Sequence, residues 1–253
     1  MAEPELVVDA DAATLAANVA ERVLVTLAEV QQRRERAALA LTAGSIMEQV
    51  WSAMAASPQA RLVDWSKVDV FWGDERFVPA DSADRNDTPA EKLLFAHEPF
   101  SAAQRYSMPT SDGEYGDDLD AAATGYAAVL REHRRTDDQD DQPNFDIVLL
   151  GVGPDGHCCS LFPEHPGLHD ESSTVIAVRN SPKPPPLRLS LSFAGLNAAE
   201  EIWVVASGEG KADAVEHALS GVSREQCPSA GARGRKRTLW LVDADAASHL
   251  PRN

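Results

Sequence analysis

The chain reads as an α/β protein, Rossmann-like, with a largely parallel sheet covered by helices on both faces. Three observations predict this. Short apolar runs alternate with amphipathic segments of helical period along most of the 253 residues, which is the pattern of strand–helix–strand crossovers. The runs themselves, such as Ile147-Val148-Leu149-Leu150, suit the inside of a sheet. Four of them end in glycine-bearing turns, Thr42 to Ser45, Gly73 to Arg76, Gly151 to His157 and Ser207 to Lys211, and in a parallel sheet ligands gather beyond the carboxyl ends of the strands.

Asp11 to Arg34 is expected to be a helix, with Leu15, Val19, Val23, Leu27 and Val30 at near-helical spacing and Arg33 and Arg34 suiting the negative end of its dipole. A buried strand, Ala37 to Leu41, precedes the Thr42-Ala43-Gly44-Ser45 turn and a helix from about Ile46 to Ala56. The strand Val68 to Trp72 stops at Gly73. Helices are expected across Pro89 to Ala96 and Leu119 to His133, then a strand from Phe145 to Leu150. Strands follow at Thr174 to Val178, Leu187 to Leu191 and Ile202 to Ala206, then a helix after Gly210 to Leu219 and a closing strand, Thr238 to Val242. All of this fits one domain over residues 1–253. Asp137 to Asp141 reads as a solvated acidic loop, and Pro182-Lys183-Pro184-Pro185-Pro186 as a stiff connection inside the domain.

Composition narrows the partners. With 23 basic and 40 acidic residues and a net charge of −17, the chain is a poor general binder of nucleic acid or of anionic membranes. The basic run Arg233 to Arg237 is brief and leads straight into a strand. An anionic ligand would have to be held by local positive charge. No segment reaches the roughly 18 to 20 apolar residues of a membrane helix, and Met1 to Asp11 has no signal-peptide pattern. Three cysteines, at 158, 159 and 227, suggest a reducing, cytoplasmic setting. The run His157-Cys158-Cys159 has no CxxC or HxxxH partner elsewhere, so no metal is expected and the cysteines read as packing residues.

The turn from Gly151 to His157 carries the chemistry. Gly151, Gly153 and Gly156 permit backbone angles closed to other residues and let N–H groups approach a ligand. Asp155 and His157 arrive together at its exit, and an imidazole, with an unperturbed pKa of about 6.5, can take and return a proton. Ser45 can be an ordinary helix cap or, with Gly44, part of a phosphate cradle at the helix start. Gly73-Asp74-Glu75-Arg76 can be a salt-bridged turn, or can pair Arg76 with a phosphate while Asp74 accepts from sugar hydroxyls. Arg188 and Lys211 add positive charge from other strand regions.

Taken in order and spacing, Gly73 to Arg76, the run from Leu149 to Pro163, Pro185 to Leu191 and Gly210-Lys211-Ala212 resemble the 6-phosphogluconolactonase family. The resemblance covers residues from about 10 to 245, and Ala43 stands where that family commonly has a second glycine. It implies a Rossmann-like fold shared with glucosamine-6-phosphate deaminases. It also implies hydrolysis of 6-phosphogluconolactone in the pentose phosphate pathway, with no obligatory metal or organic cofactor. By this resemblance His157 is the general base and Asp74 its companion in catalysis. Arg76, Gly44, Ser45, Arg188 and Lys211, with Gly153, Asp155 and Gly156 of the turn, bind the substrate. The partner implied is a small phosphosugar lactone, with no nucleic acid and no membrane; the oligomeric state is left open.

A lactone is an activated ester, whose hydrolysis needs a positioned water, a base and donors for the oxyanion. A nucleophilic Ser160 is the rival, but no Gly-x-Ser-x-Gly elbow surrounds it. The alternative on the same scaffold is a glucosamine-6-phosphate deaminase, in which the histidine is followed by a Phe-Asn-Glu element. Here Phe162-Pro163-Glu164 puts proline in place of that asparagine. A non-catalytic sugar-phosphate sensor is the reading from another class, in which His157 has no evident purpose.

Overall fold

The computed structural model describes residues 3–134 and 145–251. The acidic run Asp137 to Asp141 lies outside the described residues. The chain opens with an edge strand β1 (Glu5–Asp9) and the long helix α1 (Ala12–Arg33). Asp11 caps α1 by accepting from the Thr14 N–H at 2.8 Å. Next come β2 (Ala37–Leu41), α2 (Ser45–Ala56), β3 (Val68–Trp72), β4 (Asp74–Arg76) and a single turn α3 (Asp87–Ala90). β5 (Gln104–Arg105), α4 (Leu119–Glu132), β6 (Ile147–Gly151), β7 (Val175–Val178) and β8 (Arg188–Leu191) follow. The chain closes with α5 (Phe193–Asn197), β9 (Glu201–Ala206), α6 (Ala212–Leu219) and β10 (Arg237–Asp243).

Seven strands form a parallel sheet in the order β1-β10-β9-β6-β2-β3-β5. From β2 the chain winds outward through β3 to β5, then returns to β6 on the other side of β2 and winds away through β9 and β10. The winding direction reverses between β2 and β6, and a crevice opens at such a reversal. The inner strands β3, β6, β9 and β10 are buried almost throughout, as strands covered on both faces must be. The five tryptophans are all buried.

At the reversal the two strands part early. Pairing between β2 and β6 ends at Ala40 with Val148, and the Thr42 side chain takes over from the backbone ladder. Its Oγ1 donates to the Leu149 carbonyl at 3.1 Å and accepts from the Gly151 N–H at 2.8 Å.

Two expectations about the sheet need correction. Gly73 to Arg76 is not a turn: the chain passes through Gly73 from β3 directly into β4. The segments Thr174 to Val178 and Leu187 to Leu191 do form strands, β7 and β8, but they join β4 in a separate antiparallel sheet of order β4-β8-β7. Apolar patterning identifies a strand without identifying its partner. Gly73 sits where the two sheets diverge, and a Cβ there would lie 2.7 Å from Thr42 Cγ2 and 3.0 Å from Cys159 Sγ. The expected helix Pro89 to Ala96 is instead α3 followed by a π-helical turn, Glu91–Phe95. α6 begins at Ala212, after a tight turn over Glu209–Lys211.

The opposite, amino-terminal end of the sheet is a structural ion network. Arg34 pairs with Asp146 and with Glu200, each at 2.5 Å, and Lys236 reaches Glu200 at 2.9 Å. Arg237 pairs with Glu5 at 2.7 Å, so two cations of the basic run serve the fold.

Candidate active site

A cavity of about 410 Å³ opens over the β2–β6 reversal. The turns after β2, β6 and β9 and the strand β4 contribute to its wall, and the proline stretch and β8 close it with Lys183 and Arg188.

His157 faces this space from a loop that its own glycines make possible. The Gly153 N–H donates to the His157 carbonyl and the Gly156 N–H to the Gly153 carbonyl, both at 2.9 Å. A side chain at 153 would run into the His157 ring and Asp155. Asp155 Oδ1 lies 2.5 Å from His157 Nδ1. An ionised carboxylate only accepts, so Nδ1 carries the proton and the neutral ring presents a lone pair at Nε2. The ring packs on Phe162, with centroids 4.8 Å apart. Burial would raise the Asp155 pKa, yet the hydrogen bond from His157 and the charge of Lys183 hold it below the ordinary carboxylate range.

Asp155 and Gly156 were expected to bind substrate, and neither lines the cavity. Asp155 orients His157 instead. Gly156 (φ +79°) packs beneath the turn, where a Cβ would meet Cys227 Sγ at 2.6 Å. Its glycine is demanded by backbone angle and packing together.

Asp74 and Glu75 are neighbours on β4 and point to opposite faces. Asp74 is buried at the cavity wall, and its Oδ2 accepts from Ser160 Oγ at 2.7 Å. Ser160 is fully buried, its hydroxyl is given to that bond, and it is not among the residues that line the cavity. Glu75 is also fully buried. It accepts from the backbone N–H groups of Arg76 at 2.8 Å, Asn86 at 2.6 Å and Asp87 at 3.1 Å, and lies 3.6 Å from Arg85. Burial nevertheless pushes its pKa up to about 7. The salt-bridged reading of this segment therefore belongs to Glu75, which ties α3 to β4, while Arg76 remains at the cavity with Nη1 donating to the Asp84 carbonyl at 2.5 Å.

Gly44 and Ser45 lie at the start of α2, but their roles are the reverse of ordinary capping. Gly44 (φ +149°) is the cap, Ser45 is the first helical residue, and the cap supplies no side-chain bond to the first-turn N–H groups. Those groups and the positive end of the dipole adjoin the cavity. Lys211 reaches it from the turn after β9, half-buried, and burial pulls its pKa down, as does the Lys183 charge. Arg188 lines the cavity, but its Nε and Nη2 are used on the carbonyls of Pro185 at 3.1 Å, Lys183 at 2.9 Å and Pro184 at 3.2 Å. Among the described residues Nη1 has no hydrogen-bond acceptor.

Lys183 is the site residue that sequence reasoning passed over, as part of a stiff connector. Its Nζ lies 3.2 Å from Asp155 Oδ1 and 3.2 Å from His157 Nδ1. The available signal was a lone cation between prolines, five residues before Arg188. Cys158 and Cys159 are buried, and burial raises both thiol pKa values. Among the described residues no three His, Cys, Asp or Glu side chains come together as a metal site, and no helix is long and apolar enough to cross a membrane.

Residues 10–240 match the family described as glucosamine-6-phosphate isomerases/6-phosphogluconolactonase. The chain is 46% identical over 250 residues to a 6-phosphogluconolactonase of Streptomyces coelicolor, spanning 99% of this chain and 96% of that one. It is 47% identical over 195 residues to a 6-phosphogluconolactonase of Mycobacterium tuberculosis, spanning 77% and 78%. The solved structure of 6-phosphogluconolactonase from Trypanosoma brucei superposes with a TM-score of 0.85 at 25% identity, covering 98% and 99% of the two chains. A monomeric glucosamine-6-phosphate deaminase superposes with a TM-score of 0.76 at 18% identity, covering 97% and 99%, a likeness of fold alone.

Proposed function

The chain belongs to the glucosamine-6-phosphate isomerase/6-phosphogluconolactonase family, and from that premise we propose that it hydrolyses 6-phosphogluconolactone to 6-phosphogluconate, a step of the pentose phosphate pathway. The observation that carries this reading is the His157–Asp155 pair, which presents a lone pair at Nε2 to a cavity walled by cations and the first-turn N–H groups of α2.

In this reading His157 Nε2 takes a proton from water as the oxygen bonds to the lactone carbonyl carbon. The tetrahedral intermediate then collapses, the bond to the ring oxygen breaks, and the imidazolium returns its proton to that oxygen as it becomes a hydroxyl. The new carboxylic acid ionises in solvent. Arg76, Lys211, Arg188 Nη1 and the start of α2 at Gly44 and Ser45 supply donors for the phosphate and the developing oxyanion. Asp74, held by Ser160, accepts from a sugar hydroxyl. A cytoplasmic setting goes with three buried, free cysteines.

The deaminase alternative would put a glutamate beside the histidine. Glu164 is the residue in that stretch, and it is not among those lining the cavity; its N–H donates to the Glu225 carbonyl at 2.9 Å. The test is to generate 6-phosphogluconolactone in situ and follow acid release above the spontaneous rate, with ammonia release from glucosamine 6-phosphate as the paired assay. Lactone turnover without ammonia release is expected. Ammonia release with no lactonase activity would overturn the proposal.

A further inference from the structure

Lys183 takes no part in the proton transfers of His157 with water and the ring oxygen, yet its backbone is firmly held. Arg188, itself buried, donates to the carbonyls of residues 183, 184 and 185 and so fixes the backbone that carries the lysine. Ser181 adds a second tie, donating from Oγ to the Lys183 carbonyl at 2.8 Å. The ammonium then sits 3.2 Å from the carboxylate oxygen of Asp155 that also receives His157 Nδ1–H. One anion is shared by two donors.

The 3.2 Å separation of Nζ from His157 Nδ1 is not a hydrogen bond in this state. Nδ1 is already protonated toward Asp155, so the lysine has no lone pair to donate to there. What the separation does is electrostatic. While His157 is neutral, Lys183 and Asp155 form an ion pair beside it. Once His157 has taken a proton, two cations stand 3.2 Å apart around one carboxylate, and their charges repel.

We propose that Lys183 is a positioning residue that keeps His157 free of its second proton before attack and drives that proton onto the departing ring oxygen afterwards. The inference rests on the lactonase reading for its catalytic meaning, but the charge effect on His157 does not. Other charged groups around the cavity come from other elements: Asp74 and Arg76 from β4, Arg188 from β8, and Lys211 from the turn after β9. Glu48 of α2 and Arg85, before α3, complete the set. Among the described residues, Asp155 and Lys183 are the side chains within hydrogen-bonding distance of the imidazole.

The experiment compares Lys183→Met and Lys183→Gln with the parent and with Lys183→Arg in two measurements. The first is the pH profile of kcat/KM for the lactone. Loss of the ammonium should move the acidic limb up by about one pH unit and lower kcat below neutral pH, while Lys183→Arg stays within a few tenths of a unit of the parent. The second follows the His157 imidazole by NMR in substrate-free protein, its signals identified by their absence from His157→Asn; its titration should move in the same direction. A rise in KM with an unmoved acidic limb and an unmoved titration would make Lys183 a substrate contact and overturn the proposal. If the parent shows no lactonase activity, the function reading fails, and the NMR titration still decides the role of Lys183.

Discussion

A histidine serves as a base only through the nitrogen its neighbours leave bare, and Asp155 decides which one that is. Replacement of His157 by alanine should leave the fold intact and lower kcat by about 100- to 10,000-fold, the ordinary contribution of a general base. Stopped assays at saturating lactone check this, and turnover within threefold of the parent would remove His157 from the role. The pairing of Asp155 with His157 was legible because two positions of separation on a glycine turn leave few other places for the side chains. Lys183 and Ser160 were not legible in the same way. Lys183 meets Asp155 across 28 positions, and Ser160 meets Asp74 across 86, and neither meeting is encoded in local spacing. For Arg188 the residue was found and its geometry was not: guanidinium nitrogens are few, and backbone carbonyls of the proline stretch use two of them.

At the scale of elements, the site depends on two strands that separate before their turns begin. Thr42 bridges the gap with one hydroxyl used as both donor and acceptor. Thr42→Val keeps the shape and removes both bonds, leaving a buried carbonyl and N–H without that partner, so a loss of about 1 to 3 kcal/mol is expected. Urea denaturation measures it, and a change under about 0.5 kcal/mol, the range of neutral surface substitutions, would show the bridge to be dispensable. Inner strands such as β2 and β9 were readable because burial on both faces leaves a continuous apolar run, Ala37 to Leu41 and Ile202 to Ala206. β1 was not foreseen: it is largely exposed at the sheet edge and is a strand because β10 offers it a partner. The antiparallel sheet was missed for a related reason. β7 and β8 have the composition of strands, but what sends them to β4 is the divergence at Gly73, where close packing against Thr42 and Cys159 admits no side chain.

For the molecule as a whole, the governing contrast is between a net charge of −17 and a cavity that gathers Arg76, Lys183, Arg188 and Lys211. If those cations recognise phosphate, Lys211→Met should raise KM for the phosphorylated lactone by about 10- to 100-fold, the worth of one charge-assisted hydrogen bond. Non-phosphorylated gluconolactone should change by less than threefold. Equal losses for both lactones would place Lys211 elsewhere in the reaction. The same contrast bears on departure. A phosphomonoester brings up to about two negative charges, and ring opening adds a third, so the product is held by the cavity more firmly than the molecule that entered. The acidic exterior acts against this, repelling the more highly charged species once it has left the mouth. Added salt weakens both forces, but it weakens the exposed, long-range one first. Emptying the pocket, rather than filling it, is then the stage at which ionic strength is felt, and a build-up of 6-phosphogluconate would slow the protein by occupying the grip that first drew the lactone in.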